Sequence, residues 1–342
     1  MSKIITVGLD LAKNVFQVHG ANDEGQVLLR KKLRRAQVLE FFEELPCCMV
    51  AMEACGGAHF WAREIGKLGH DVRLIPPAYV KPFVKRQKND AADAEAICEA
   101  AMRPTMRFVP VKSEETQSAA MVFRVRELLI RQRTQAINAL RGHLNEFGQV
   151  VPQGAANATK LVAIVEDPES GLPSDAIPTL QVLITILTQL QAEIAKLDAE
   201  ITRRAKESDV ARRLMTVPGI GPLIATAIAT LAPPPETFRK ARDFAAWLGL
   251  TPRQHSTGGK QRLGATTKMG ESSLRRLLII GANSVIIKRK VHASAQPGTW
   301  LAGMLLRKPP VLVRVALANK MARIVWALMA KGGVYKAPAA AA

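Results

Sequence analysis

Between residues 3 and 110 the hydrophobic period changes repeatedly, and this restricts the fold more than any other feature of the chain. Ile4 to Leu11 is a nearly continuous apolar run, Val15 to His19 alternates after a break at Lys13-Asn14, and Gln26 to Leu33 is a third β-rich run. Three strands joined by such short turns predict a meander. The pattern then switches to a helix near 37–45, a strand at 49–53, a helix after Gly56-Gly57, a strand at 72–75 and a helix over about 90–102. Strands alternating with helices in this way specify a mixed α/β domain.

Acids sit where such strands end. Asp10 closes the run Val7-Gly8-Leu9-Asp10, and Glu53 closes Val50-Ala51-Met52-Glu53. A carboxylate in an apolar strand is costly unless something compensates its charge. Asp90 and Asp93 follow in Asn89-Asp90-Ala91-Ala92-Asp93, and a three-residue step places both on one helix face. Asp90 taken alone could equally be a helix N-cap. The element order matches a ribonuclease H-like layout, in which the first strand, the fourth strand and the last helix converge. Four carboxylates would then meet at one end of the sheet. Two anions about 4 Å apart repel by about 4 kcal/mol at an effective dielectric near 20, so such a cluster needs a cation. Oxygen-only ligands favour Mg²⁺ or Mn²⁺.

Helical patterns dominate the rest. A long helix is expected from Ser113 to Phe147, then a looser Gly/Pro/Ala/Asn segment over 148–178, then a second long helix. That second helix carries Leu180, Leu183, Leu187, Leu190, Ile194, Leu197 and Ile201, a heptad seam suited to a coiled coil. Its partner could be the first long helix or another subunit. Beyond Thr216, helices are expected near 223–231, 241–248, 271–287 and 312–331. The chain is thus expected to divide into an α/β domain at 1–110, a helical coiled-coil connector at 111–210, a mostly α domain at 211–335 and a disordered tail at 336–342.

Charge identifies the class of partner. Lys and Arg number 48 against 29 Asp and Glu, a net +19. From Arg239 to Lys331 there are 18 Lys and Arg but only Asp243 and Glu271 as acids. A polyanion gripped mainly by the C-terminal part explains this excess. The four cysteines, Cys47, Cys48, Cys55 and Cys98, lack zinc-site spacing and are expected as buried reduced thiols. No apolar run has signal-peptide or membrane-spanning character, so a soluble cytoplasmic protein without a membrane partner is expected.

Two further strings carry chemistry. Val217-Pro218-Gly219-Ile220-Gly221-Pro222 before a helical run has the form of a helix-hairpin-helix, in which Gly219 and Gly221 would let backbone N–H groups approach a phosphate. The segment Thr251 to Lys260 places Ser256 and Thr257 among small and cationic residues, with Arg253, Lys260, Arg262, Lys268, Arg275 and Arg276 as candidate phosphate contacts. A hydroxyl in such surroundings suits attack on a phosphodiester. As an isolated string, it would be read as an ordinary loop.

Taken together and in order, Gly8 to Ala12, Met52 to Gly57, Lys88 to Ala94, Val217 to Gly221 and Gly249 to Lys260 make the chain resemble the DEDD transposases of bacterial insertion sequences: the insertion-sequence 110 family and, within it, the 1111 group. The resemblance spans nearly the whole chain. It implies that Asp10, Glu53, Asp90 and Asp93 are metal-binding catalytic acids of a RuvC-like domain. It also implies a nucleophilic serine in the C-terminal domain, donor and target DNA as substrates, a structured guide RNA from the element, and a homo-oligomer, dimer or tetramer. Relatives often carry two serines before the glycine, where this chain has Ser256 and then Thr257. Ser256, the less hindered primary alcohol, is favoured as nucleophile, with Thr257 the alternative. The competing readings are a Holliday-junction-resolvase-like nuclease that uses water and a non-catalytic nucleic-acid-binding protein.

Overall fold

A computed structural model describes residues 3–85, 89–288 and 298–337, and the chain forms two compact units, 1–117 and 118–342. Residues 338–342 of the expected tail, and Lys88 of the string Lys88 to Ala94, lie outside the described residues.

The first unit contains β1 (Thr6–Asp10), β2 (Val15–Ala21), β3 (Val27–Arg34), α1 (Val38–Glu44), β4 (Met49–Glu53), α2 (Ala58–Lys67), β5 (Asp71–Ile75), α3 (Pro77–Val80) and α4 (Asp90–Ala101). Its five-stranded sheet has the order β3-β2-β1-β4-β5. The first three strands form the expected antiparallel meander, and β4 runs parallel to both β1 and β5. This topology is compatible with the ribonuclease H-like layout.

Strand alternation decides which side chains face which helix. Val7, Leu9, Val50 and Met52 are fully buried in one core with Val38 and Phe42 of α1 and Trp61 and Ile65 of α2. The alternate residue Ala51 packs with Ile75 and with Ala96, Ile97 and Ala100 of α4. Asp10 is in step with Gly8, and Glu53 with Ala51, so both acids belong to the face covered by α4.

In the second unit, α5 (Glu114–Glu146) and α7 (Ala176–Glu207) are antiparallel neighbours. Arg126 donates to both carboxylate oxygens of Asp198 at 2.5 and 3.2 Å, and Arg204 reaches the carbonyl of Ala119 at 3.4 Å. Leu180, Ile184 and Leu187 are buried with Ile137, Leu140 and Leu144 of α5 and with Leu161 and Val165 of α6 (Ala158–Glu166). Ile201 packs with Val122 and Phe123. The buried positions of the heptad seam thus pack against this chain's own α5 and α6, and the segment 148–178 contains a helix that its Gly and Pro content obscures.

The remainder is a helical bundle: α8 (Asp209–Leu214), α9 (Pro222–Leu231), α10 (Ala241–Trp247), α11 (Ser272–Ile287), α12 (Trp300–Arg307) and α13 (Pro310–Lys331). Phe244, Leu274, Leu278, Ala318 and Val325 lie in its core. One segment departs from the expected loop. The strands β6 (Pro252–Gln254) and β7 (Leu263–Thr266) pair as an antiparallel hairpin. No helix among the described residues is long and apolar enough to cross a membrane. The cysteines carry no disulfide, but the expectation of four buried thiols holds only for Cys98; Cys47 and Cys55 are exposed and Cys48 is half-buried.

Candidate metal centre and nucleic-acid interface

Parallel pairing of Leu9 with Met52 puts Asp10 and Glu53, one residue further on, at the same ends of adjacent strands. The helix α4 can lie against β1 because position 8 is glycine. A Cβ there would overlap the carbonyl oxygen of Ala94 and come within 2.6 Å of the Cys98 amide nitrogen. This close contact carries the first turn of α4, with Asp90 and Asp93, to the end of β1. The helix is capped by Asn89, whose Oδ1 accepts the Ala91 N–H at 3.1 Å. Asp90 is thereby relieved of the capping role it could have taken.

Asp10, Asp90 and Asp93 each place a carboxylate oxygen within 4.8 Å of the other two. Glu53 stands beside this trio and is not part of it. Burial, followed by the charges of Asp93, Asp90 and Glu53, raises the Asp10 carboxyl to about 6, against the N–H of Leu11, which favours the ionised form. Burial and then Asp93 raise Glu53 as well. The thiol of Cys55, two residues beyond Glu53, is pushed up by desolvation of its sulfur, although the residue as a whole is exposed, and by the negative charge of Glu53 and Asp10. Carboxyls whose proton affinity is raised by neighbouring carboxylates, as at Asp10 and Glu53, are the electrostatic profile of a hard-cation site, and an all-carboxylate donor set fits a divalent ion.

Among the described residues, the basic candidates divide into those bonded within the chain and those that are not. Arg275 Nη1 donates to the carbonyls of Leu248 at 3.0 Å and Met269 at 2.9 Å, which makes it a brace between two turns. Arg276 is ion-paired with Glu127 of α5 at 3.1 Å, and Glu127 also accepts from Ser273 Oγ at 3.2 Å. Both side chains are thus engaged within the chain, Arg275 with neutral carbonyls and Arg276 with a carboxylate. Arg253, Lys260, Arg262 and Lys268 are exposed, and Arg253 reaches the Thr267 carbonyl only at 3.4 Å. In the turn between α8 and α9, Gly219 faces inward, where a Cβ would meet the Gly281 carbonyl oxygen of α11 at 2.5 Å, while Gly221 is exposed with open space around it at the N-terminus of α9. Of the two glycines, Gly219 serves helix packing and Gly221 alone lies open.

Sequence reasoning did not identify Gly8 as the residue that brings the acids together, although its place two residues before Asp10 was the available signal. Nor did it find the hairpin, whose strands lack a buried face.

Residues 7–148 match the DEDD transposase family model described as a transposase, and residues 211–296 match the model of the transposase IS116/IS110/IS902 family. A probable family 20 transposase of Pseudomonas aeruginosa is 50% identical over 334 residues, covering 96% of this chain and 98% of the relative. The transposase for insertion sequence element IS1328 of Yersinia enterocolitica is 42% identical, covering 98% of this chain and 99% of the relative. The transposase for insertion sequence element IS1111A of Coxiella burnetii is 36% identical, covering 98% and 92%. With acids gathered at the sheet end, a divalent-metal chemistry implied by the DEDD family and relatives matched along nearly their whole length, the chain belongs to the IS110-type family of insertion-sequence DEDD transposases, enzymes that act on DNA.

Proposed function

We propose that this transposase cuts and rejoins donor and target DNA by two cooperating parts: the carboxylates Asp10, Glu53, Asp90 and Asp93, and a hydroxyl of the β6–β7 hairpin, at Ser256 or Thr257. The observation that carries the metal half is the convergence of Asp10, Asp90 and Asp93 from two elements distant in sequence. Bound there, Mg²⁺ or Mn²⁺ would supply charge neutralisation and Lewis acidity to a phosphodiester. The acids hold and orient, with Asp10 at the centre of the electrostatic coupling. The hairpin hydroxyl attacks phosphorus, and Arg253, Lys260, Arg262 and Lys268, with the open amide end at Gly221, hold the flanking phosphates.

A covalent protein–DNA ester conserves the energy of the broken phosphodiester, so rejoining needs no nucleotide cofactor. Joining two DNA partners requires several active sites, which supports a homo-oligomer, dimer or tetramer. Guidance by an element-encoded structured RNA rests on the family resemblance and on the basic excess of the chain. In this reading residues 1–110 are the metal-binding domain, 111–210 the connector and 211–335 the DNA-joining domain, in a protein of the cytoplasm.

The test is to incubate the full chain, in Mg²⁺, with a plasmid carrying its insertion-sequence copy and to look for protein covalently attached to DNA. Cleaved DNA with free ends and no attached protein would assign the chain to water-using nucleases of the junction-resolvase type. Intact DNA that is nonetheless bound would make it a binding protein.

A further inference from the structure

The last two helices carry cations that the sequence around them does not balance. Residues 272–342 hold 12 Lys and Arg and no Asp or Glu. Lys320 and Arg323 of α13 are three residues apart, a step that brings two side chains together on one helix face. Both are partly buried, and neither forms an ion pair among the described residues. The Arg323 Nε is shielded from solvent without a hydrogen-bond partner. Burial, and then the charge of Arg323, hold the Lys320 ammonium below the ordinary lysine range. Two like charges on one helix face repel, and desolvation adds to the cost. An anion beside them would offset both effects.

An aromatic ring completes the group. Lys320 Nζ lies 4.4 Å from the ring centroid of Trp300, the first residue of α12, so the ammonium occupies one side of the indole. Trp300 nevertheless stays 39% exposed, whereas Trp61 is 5% exposed and Trp326 anchors its indole N–H on the Pro235 carbonyl at 3.1 Å. One turn before Arg323, Asn319 Nδ2 donates to the carbonyl of Leu250 at 3.2 Å, two residues ahead of β6. This face of α13 therefore lies beside the root of the β6–β7 hairpin.

We infer that Trp300, Lys320 and Arg323 form a subsite for one unpaired nucleotide of a nucleic-acid strand, with its phosphate against the two cations and its base stacked on the exposed part of the indole. Cations alone would suit any polyanion, including a duplex gripped by its phosphates. The ring narrows the choice. Inside a duplex both faces of a base are covered by its neighbours, so only an unpaired base can offer a face to tryptophan, and stacking of this kind tolerates any base. A strand that changes partners during joining passes through such an unpaired state. The inference rests on the chain's action on DNA and is independent of the hairpin hydroxyls.

The experiment measures binding of the full chain to three fluorescein-labelled probes by anisotropy: an oligothymidine strand, an oligouridine strand of equal length and a DNA duplex. Trp300→Ala should weaken binding to a single strand by about 5- to 150-fold and leave the duplex affinity unchanged, while Trp300→Phe keeps most of the single-strand affinity. Lys320→Gln should lower the slope of log affinity against log salt by about 0.7 on the single strand. Loss on oligothymidine identifies the strand as DNA, loss on oligouridine as RNA, and either supports the subsite. A wild-type chain irradiated with a strand containing 5-iodouracil should crosslink through Trp300, in the tryptic peptide 291–307. Because the crosslink is read on the wild type, it holds even where Trp300→Ala fails to fold. Crosslinks confined to other peptides, or a Trp300→Ala chain that folds and binds both single strands as the wild type does or loses duplex and single-strand affinity equally, would overturn the assignment.

Discussion

Gly8 of β1 lies so close beneath Ala94 of α4 that a single methyl at position 8 would overlap the Ala94 carbonyl oxygen. The strand bearing Asp10 and the helix bearing Asp90 and Asp93 touch backbone to backbone. Gly8→Ala must therefore push α4 off the sheet. A destabilisation of about 1–3 kcal/mol is expected by urea denaturation. Cleavage should fall far more than stability does, because an outward shift of α4 separates the acids.

Asp10 also predicts an inverted pH dependence of stability in EDTA. Its folded-state carboxyl is raised from 3.8 to about 6, chiefly by burial and then by Asp93, Asp90 and Glu53. A raised folded pKa contributes stability that is present below the unfolded value and lost as pH rises through about 6. Metal-free Asp10→Asn should thus be more stable than wild type at pH 8, by about 1 kcal/mol once solvent screening is allowed for. The two should converge near pH 3.5. Added Mn²⁺ should stabilise the wild type and not the variant. Thermal melts at the two pH values check the sign.

The acids were legible in the sequence because a carboxylate at the end of an apolar strand is costly without a compensating charge, and because alternation fixes which face Asp10 and Glu53 occupy. Spacing also revealed both long helices. It could not name the partner of Leu180 and Leu187, since a heptad seam specifies a face and not its occupant. The hairpin was illegible for a different reason. Residues 253–265 are exposed throughout, so no period-two apolar pattern marks the strands, and the Gly-Gly tip resembled a loop. The committed roles of Arg275 and Arg276 were hidden as well, because they depend on carbonyls at Leu248 and Met269 and on the distant Glu127.

Packing along the seam can be tested directly. Leu187 is 2% exposed and packs within its own chain, as does the fully buried Leu140. Leu140→Ala and Leu187→Ala should each cost about 2–5 kcal/mol in denaturant unfolding. Under native conditions the mass by light scattering should be that of the wild type. Dissociation of an oligomer without loss of stability would contradict the intrachain assignment.

Free and committed arginines should separate in a salt titration of DNA binding. Arg262→Gln removes a free cation from the hairpin face and should lower the slope of log affinity against log salt by about 0.9 on duplex DNA. Arg275→Gln removes a brace to two carbonyls. It should leave that slope unchanged and lower stability by about 1–3 kcal/mol.

A divalent cation at Asp10, Asp90 and Asp93 is the central requirement of the proposed chemistry. The decisive measurement is strand cleavage of a plasmid carrying the insertion sequence, with wild type and Asp10→Asn, each in Mg²⁺ and in EDTA. Cleavage by the wild type in Mg²⁺ alone, with Asp10→Asn inactive but still binding the plasmid, is the predicted result. Full cleavage in EDTA, or by Asp10→Asn in Mg²⁺, would contradict it.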